Sequence, residues 1–365
     1  MTSKAAGPLA GVRIVELQAI GPVPYCGMLL ADMGAEILLV EPPQAREAKM
    51  PVPVDKDPLW RGRSRLALDL KDPAAIERLL SILEKADILL EGFRPGVMER
   101  LGLGPDVCLK CNPKLVYGRM TGWGQTGPLS KTAGHDPNYT ALVGVIHSLG
   151  HADRPPTPPL NLVGDFAGGS LFLAMGALAA LTHARASGAG QVVDAAIVDG
   201  AASLMTMVYS MRANGLWSDE RGTNMMDGSC PFGCAYETAD GRYMMTCCIE
   251  PPFYAEMLKG LGLDPAGLPK QYDLTRWPEL RERFAAAFQT RTRDEWTKVF
   301  ERTDACVTPV LNMGEAMQHP QNVARQVFVD GLPAAAPRFS ATPTEHAPKA
   351  PAAPDLLRGW GIDLA

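Results

Sequence analysis

Short apolar runs alternate with single helical repeats along the first third of the chain, and this alternation limits the fold more than any other feature. Arg13-Ile14-Val15-Glu16-Leu17 reads as a strand. A Gly/Pro loop follows at Gly21-Pro22-Val23-Pro24, and helical spacing from Tyr25 to Met33 stops at Gly34. Further strands are predicted at residues 37–40, 65–70, 88–91 and 115–117. Asp72-Pro73 opens a helix to about residue 85, with aspartate as N-cap, proline in the first turn, and Ile76, Leu79, Leu80 and Leu83 on one face. Strands separated by single helices make βαβ units and a parallel sheet, so the fold class is α/β.

From about Asp165 to Leu216 the pattern is mostly helical, with one short strand at 191–194. The periodicity lapses around 221–228. Strands near Tyr236 and at 243–245, then helices at 253–261, 277–288 and 294–300, describe a smaller α+β domain. Residues 333–354 hold six prolines without periodicity and read as an extended segment. The expected division is a large domain over 1–195, a helical linker over 196–228, a small domain over 229–320 and a return segment over 321–365. A chain of 365 residues is long enough for it.

The net charge of −5 leaves no global basic field for nucleic acid or anionic lipid, so an anionic ligand needs local basic groups. The N-terminal residues lack the apolar stretch of a secretory signal, and the C-terminus is not a Ser-Lys-Leu address. The longest apolar run, about 171–181, is shorter than a bilayer crossing and reads as a buried helix, so no membrane span is expected. The cytoplasm is the expected location. There the eight cysteines stay reduced. Cys108-Leu109-Lys110-Cys111 has C-x-x-C spacing, but no second ligand pair follows at zinc-site spacing, so buried thiols and no metal are expected.

Three places could carry chemistry. In Gly134-His135-Asp136-Pro137-Asn138-Tyr139 a histidine, the natural proton carrier near neutrality, stands beside a carboxylate; a surface-loop histidine is the plainer reading. In Gly164-Asp165-Phe166-Ala167-Gly168-Gly169-Ser170 the aspartate stands where an N-cap would, and the glycines would let a ligand approach the backbone; a plain cap with small packing residues is the alternative. In Ile249-Glu250-Pro251-Pro252-Phe253-Tyr254 a glutamate stands at a strand-to-helix turn, where burial would raise its pKa; it also reads as an ordinary helix-start carboxylate. No G-x-S-x-G or Walker loop is present.

Long segments of the chain resemble the family III CoA-transferases, and within them the α-methylacyl-CoA racemase branch. They include Pro8-Leu9-Ala10-Gly11-Val12-Arg13-Ile14-Val15-Glu16-Leu17, Glu91-Gly92-Phe93-Arg94-Pro95-Gly96-Val97-Met98-Glu99-Arg100-Leu101-Gly102, Met120-Thr121-Gly122-Trp123-Gly124-Gln125-Thr126-Gly127-Pro128 and Thr303-Asp304-Ala305-Cys306-Val307-Thr308-Pro309-Val310-Leu311. The resemblance implies a Rossmann-like large domain with a smaller α+β domain in an interlocked homodimer. It implies an acyl-CoA substrate and no separate cofactor, because coenzyme A is part of the substrate.

On the matching positions, His135 is the expected base, Glu250 the glutamate that orients it, and Asp165 the carboxylate serving the opposite face of the α-carbon. Backbone N–H groups around Asp165 would support the enolate oxygen. Coenzyme A would be held by Leu68, Asp69, Leu70, Lys71, Gly92, Phe93, Arg94, Arg100, Gly134, Asp136, Asn138, Tyr139, Gly164, Gly168 and Gly169. The alternative within the resemblance is a CoA-transferase with Asp165 as nucleophile. The chain departs from the family's V-D-R-P at Val40-Glu41-Pro42-Pro43, from G-A-P-[FY]-Y at Ser229-Cys230-Pro231-Phe232-Gly233, and from G-A-I-E-P at Cys247-Cys248-Ile249-Glu250-Pro251.

Overall fold

The structure is a computed structural model, and it describes residues 7–43 and 56–363. These residues divide into two compact units. The first comprises residues 7–43, 56–145, 159–206 and 333–363; the second comprises 146–158 and 207–332.

The first unit is built on a six-stranded, all-parallel sheet in the order β3-β2-β1-β4-β5-β6. Its strands are β1 (Arg13–Leu17), β2 (Glu36–Glu41), β3 (Arg63–Ala67), β4 (Ile88–Glu91), β5 (Val116–Thr121) and β6 (Gln191–Ala196). The connecting helices are α1 (Pro22–Asp32), α2 (Pro73–Leu83), α3 (Val97–Arg100), α4 (Pro105–Cys111), α5 (Asp136–Leu142) and α6 (Phe172–Ser187); α7 (Ile197–Leu204) follows β6. This is the Rossmann strand order, with its switch point between β1 and β4.

Alternate residues of each strand feed two cores. Ile14, Ile37, Ile88 and Val116 pack with α1 and α6 on one face. Val15, Leu38, Leu89 and Tyr117 pack with α2 and α4 on the other. That second core also takes Leu356, Leu357 and Trp360 from the C-terminal segment, where the Trp360 indole donates to Glu36 at 2.6 Å.

Some elements begin where the pattern did not place them. α1 starts at Pro22, inside the expected loop, because proline in the first turn gives up N–H groups that have no intrahelical partner. β3 starts two residues before the expected strand. Its first residues, Arg63 and Ser64, are polar yet buried, and the Arg63 guanidinium donates to the equally buried Glu16. The first unit runs past residue 195 because β6 continues directly into α7, which packs on the segment carrying Asp165. Residues 321–332 belong to the second unit.

Residues 162–187 form one continuous helix. It is long and apolar enough to cross a membrane by length and composition, with mean hydropathy 1.6. Leu173, Ala174, Ala177, Ala180, Leu181 and Ala184 are nevertheless buried against the sheet, as for a core helix.

The longer segment of the second unit begins within α8 (Thr206–Ala213), whose first residue ends the preceding segment of the first unit. It contains the antiparallel sheet β7 (Ala235–Glu237), β8 (Tyr243–Thr246) and β9 (Val307–Pro309), with β8 central. Helices α9 (Pro251–Leu261), α10 (Trp277–Phe288) and α11 (Arg293–Phe300) pack on it, and α12 (Met313–Gln318) and α13 (Pro320–Ala324) follow. Its core is aromatic, centred on Phe232, Phe284, Phe288 and Trp296.

Candidate active site

Three loops leave the carboxyl ends of β1, β4 and β5 beside the switch point, where open α/β sheets bind ligands. The loop after β5 leads to His135, the N-cap of α5, whose N–H donates to the Asn138 side chain at 3.0 Å. Tyr139 holds this loop closed. Its hydroxyl donates to Gly134 O, and its ring meets Trp123 edge-on at 4.7 Å. Gly122 and Gly134 lie so close to that ring that a Cβ on either would overlap it. The His135 ring itself is on an exposed residue at the loop's end.

Asp165 is not an N-cap. It lies inside a π-helical stretch, Leu162–Leu171, that leads into α6, with Phe166 N–H reaching back to Asn161 O at 3.2 Å. The stretch is fixed against the start of α1: Ser170 Oγ donates to Pro22 O at 2.7 Å, and Tyr25 stacks on Phe166 at 4.4 Å. A Cβ on Gly21 would lie 3.2 Å from Asp165 Oδ2, so the carboxylate faces the N-terminus of α1.

Burial raises the Asp165 carboxyl, the Asp136 carboxylate raises it further, and His135 and the Asn161 side chain oppose them; it ends at about 6 against an ordinary 3.8. His135 and Asp165 are therefore within electrostatic reach of each other.

Other expected contacts fall differently. Asp136 is buried, and its Oδ2 accepts the Asp165 N–H at 2.7 Å. The Asp165 N–H is thus committed to Asp136 and the Phe166 N–H to Asn161, so neither is left over for an enolate oxygen. Gly164 abuts the Asp136 carboxylate. Gly168 and Gly169 abut α7 and α1, so these glycines serve packing. Glu250 is in the second unit as the N-cap of α9, exposed rather than buried. Cys108 is buried and donates to Leu103 O, and Cys111 donates to Leu80 O, so both thiols belong to helix packing.

A cleft of about 570 Å³ opens at the end of β4, lined by Arg94, Glu99, Arg100, Arg119, Gln125 and Lys131 among others. Arg119 is paired with the buried Glu91 at 2.9 Å and with Glu99 at 2.8 Å. A second cleft, about 240 Å³, shares Arg94 and Pro95 with the first and continues past Gly92, Phe93 and Trp123 to Gly134, His135 and Tyr139. A basic basin therefore leads to the histidine. The buried Trp123 Nε1 and Gln125 Nε2 have no hydrogen-bond partner among the described residues, which leaves two donors unmatched along this track. Leu68, Asp69, Leu70 and Lys71 follow the edge strand β3 and line neither cleft; Lys71 N–H donates to Asp69 at 3.1 Å.

Sequence reasoning missed Gln125, Lys131 and Trp123 as cleft residues. Gln125 and Trp123 stand in one of the segments that carry the resemblance, and that was the available signal.

The sequence pattern of CoA-transferase family III matches residues 9–355. The chain belongs to this family. It is 46% identical over 340 residues to the α-methylacyl-CoA racemase of Mus musculus, covering 92% of this chain and 87% of that one. It is 43% identical to the α-methylacyl-CoA racemase of Homo sapiens over the same shares. Among solved structures it superimposes on Rv3272 of M. tuberculosis with a TM-score of 0.80 at 26% identity, covering 95% of this chain and 97% of that one.

Proposed function

We propose that the chain is an α-methylacyl-CoA racemase, inverting the α-carbon of a 2-methyl-branched acyl-CoA by two-base proton transfer through an enolate. The observation that carries this reading is that His135, at the end of a basic track, lies within electrostatic reach of the raised Asp165 carboxyl. Racemisation needs one group to take the α-proton and another to return a proton from the opposite side. Asp165, raised to about 6, changes protonation state close to neutrality and can act in either direction. The similarity to proteins named α-methylacyl-CoA racemase supports the same activity.

In this reading His135 and Asp165 are the two acid–base groups, Arg94 and Arg100 hold the coenzyme A phosphates, and no separate cofactor takes part. The protein works as a homodimer, with Glu250 of the partner subunit orienting His135. Exposed large apolar side chains in the first unit, Leu160, Leu162, Leu171, Met175 and Leu204, support an extensive self-association surface. The eight unpaired cysteines suit the cytoplasm.

The test is α-proton exchange in D₂O, followed separately for each enantiomer of a 2-methylacyl-CoA. Wild type should exchange both and interconvert them. His135→Ala should lose about 10²–10⁴-fold in racemisation. A single-base variant should still exchange the proton of one enantiomer without inverting it. Hydroxylamine trapping of an acylated Asp165, with His135→Ala fully active toward a carboxylate acceptor, would replace this reading with CoA transfer.

A further inference from the structure

The small sheet of the second unit brings two cysteines together that the proposed reaction does not use. β8 and β9 pair antiparallel with Thr246 opposite Val307, so the next rung sets Cys247 opposite Cys306. Cys247 N–H donates to Cys306 O at 2.9 Å, one backbone bond just past the last paired residues of the two strands. Antiparallel residues joined by a backbone bond of this kind have Cα atoms about 5.5 Å apart. That lies within the roughly 4.4–6.8 Å that a disulfide spans.

Both residues are exposed and neither is in a disulfide; the Cys306 thiol rests 3.7 Å from Asp304 O. The neighbouring Cys248 points to the other face, where it is buried and donates to Ala305 O, as the alternation of a strand requires. Cys306 sits at φ 51°, a left-handed conformation unusual for a side chain with a Cβ, so its backbone is held under strain at this rung.

Glu250 is three residues beyond Cys247. Its carboxylate is close enough to act on the Cys306 thiol: burial pushes that thiol up, and Cys247, Glu250 and Asp304 add to the effect. The connecting peptide is held by Gln271, which donates to Cys248 O at 3.0 Å and Ile249 O at 2.7 Å, and by the Tyr272 hydroxyl on Ile249 O. Only two residues, both with their carbonyls tied to this bracing, separate Cys247 from the glutamate.

We propose that Cys247 and Cys306 are an oxidisable dithiol, closed to a disulfide by a hydroperoxide, and that closure displaces Glu250. The displacement matters through the role given to Glu250 above. In the first step Cys247 thiolate attacks a peroxide oxygen. An S–O bond forms, the O–O bond breaks, and the departing hydroxide takes up a proton to leave as water. In the second, Cys306 thiolate attacks the sulfenic sulfur. The S–S bond forms, the S–O bond breaks, and a second water leaves. Two electrons pass from the thiols to the peroxide, and a dithiol reductant reverses the change.

The experiment treats the full-length protein with hydrogen peroxide near pH 8.5, about the ordinary thiol pKa. Remaining thiols are then capped, and peptide masses and α-proton exchange are read on the same samples. The expected result is a Cys247–Cys306 cross-linked peptide. Exchange should fall about tenfold or more, since a misplacement of roughly 1 Å at a catalytic group can cost about 10²-fold. Dithiothreitol should restore both. Cys306→Ser should start with ordinary activity and keep it in peroxide. Separately capped Cys247 and Cys306 after peroxide would overturn the dithiol site. A cross-link that leaves exchange unchanged would overturn the coupling to Glu250. If the reduced wild type exchanges no proton at all, the proposed activity fails, while the cross-link still decides the dithiol.

Discussion

At the scale of single residues, the balance around Asp165 decides how the site responds to pH. Two causes raise its carboxyl, burial first and the Asp136 charge second. They can be separated, because Asp136→Asn removes the charge and keeps an oxygen to accept the Asp165 N–H now bound at 2.7 Å. In the proposed reaction Asp165 removes the proton of one enantiomer and must be ionised to do so, so exchange of that enantiomer should rise with pH through an inflection near 6 in wild type. Without the neighbouring charge the ionised form is easier to reach, so the inflection should move to lower pH. It should stay above the ordinary carboxylate range, since burial remains. Enantiomer-resolved pH–rate profiles give the check. An unmoved or upward-moved inflection in Asp136→Asn would show that Asp165 does not set that limb.

Among elements, the π-helical stretch and α7 are fitted backbone to backbone. A Cβ on Gly200 would stand 1.9 Å from Gly168 O, a main-chain atom that no rotamer change can move. Gly200→Ala should therefore destabilise the fold by about 1–3 kcal/mol. It should also lower kcat, because the same stretch carries Asp165. Gly359→Ala meets nothing within 4 Å and should be neutral within about 0.5 kcal/mol in urea denaturation. This packing also explains what was legible beforehand. β1 and β4 keep an unbroken apolar run of two or three residues and α10 is cleanly periodic, and the sequence alone places them to the residue. β3 is hidden by the polar but buried Arg63 and Ser64, since a buried ion pair does not look like a strand. The start of α1 is hidden by its prolines. The π-helical stretch departs from the 3.6-residue period, so an aspartate inside it reads as a cap before it.

For the molecule as a whole, the question is how a chain of net charge −5 attracts a polyanion. His135 and Asp165 were readable from their motifs, and so were Arg94 and Arg100. The grouping of these arginines with Lys131 in one cleft was not, because Lys131 sits in a polar loop without periodicity and only the fold brings it to α3. Of the cations there, Arg119 already has Glu91 and Glu99 as partners. Arg94, Arg100 and Lys131 have no ion pair among the described residues, so an incoming phosphate meets them without displacing a carboxylate. Charge-assisted contacts of this kind contribute about 1.5–3 kcal/mol when partly buried. These side chains are on exposed residues, so the low end applies, and Arg94→Ala or Arg100→Ala should raise KM about tenfold with kcat nearly unchanged. The basin is separated from His135 by the second cleft, so the penalty should be the same for short and bulky acyl-CoAs. Raising ionic strength should weaken wild-type binding more than that of the variants, because screening acts on the charges that the variants lack. Glu99→Gln should act in the opposite direction and lower KM, by releasing one side of the Arg119 guanidinium to the ligand. Steady-state kinetics with two acyl chains at two salt concentrations tests all of this together. An effect confined to one acyl chain, or a drop in kcat at constant KM, would move these arginines out of the phosphate basin and into the chemistry of the acyl group.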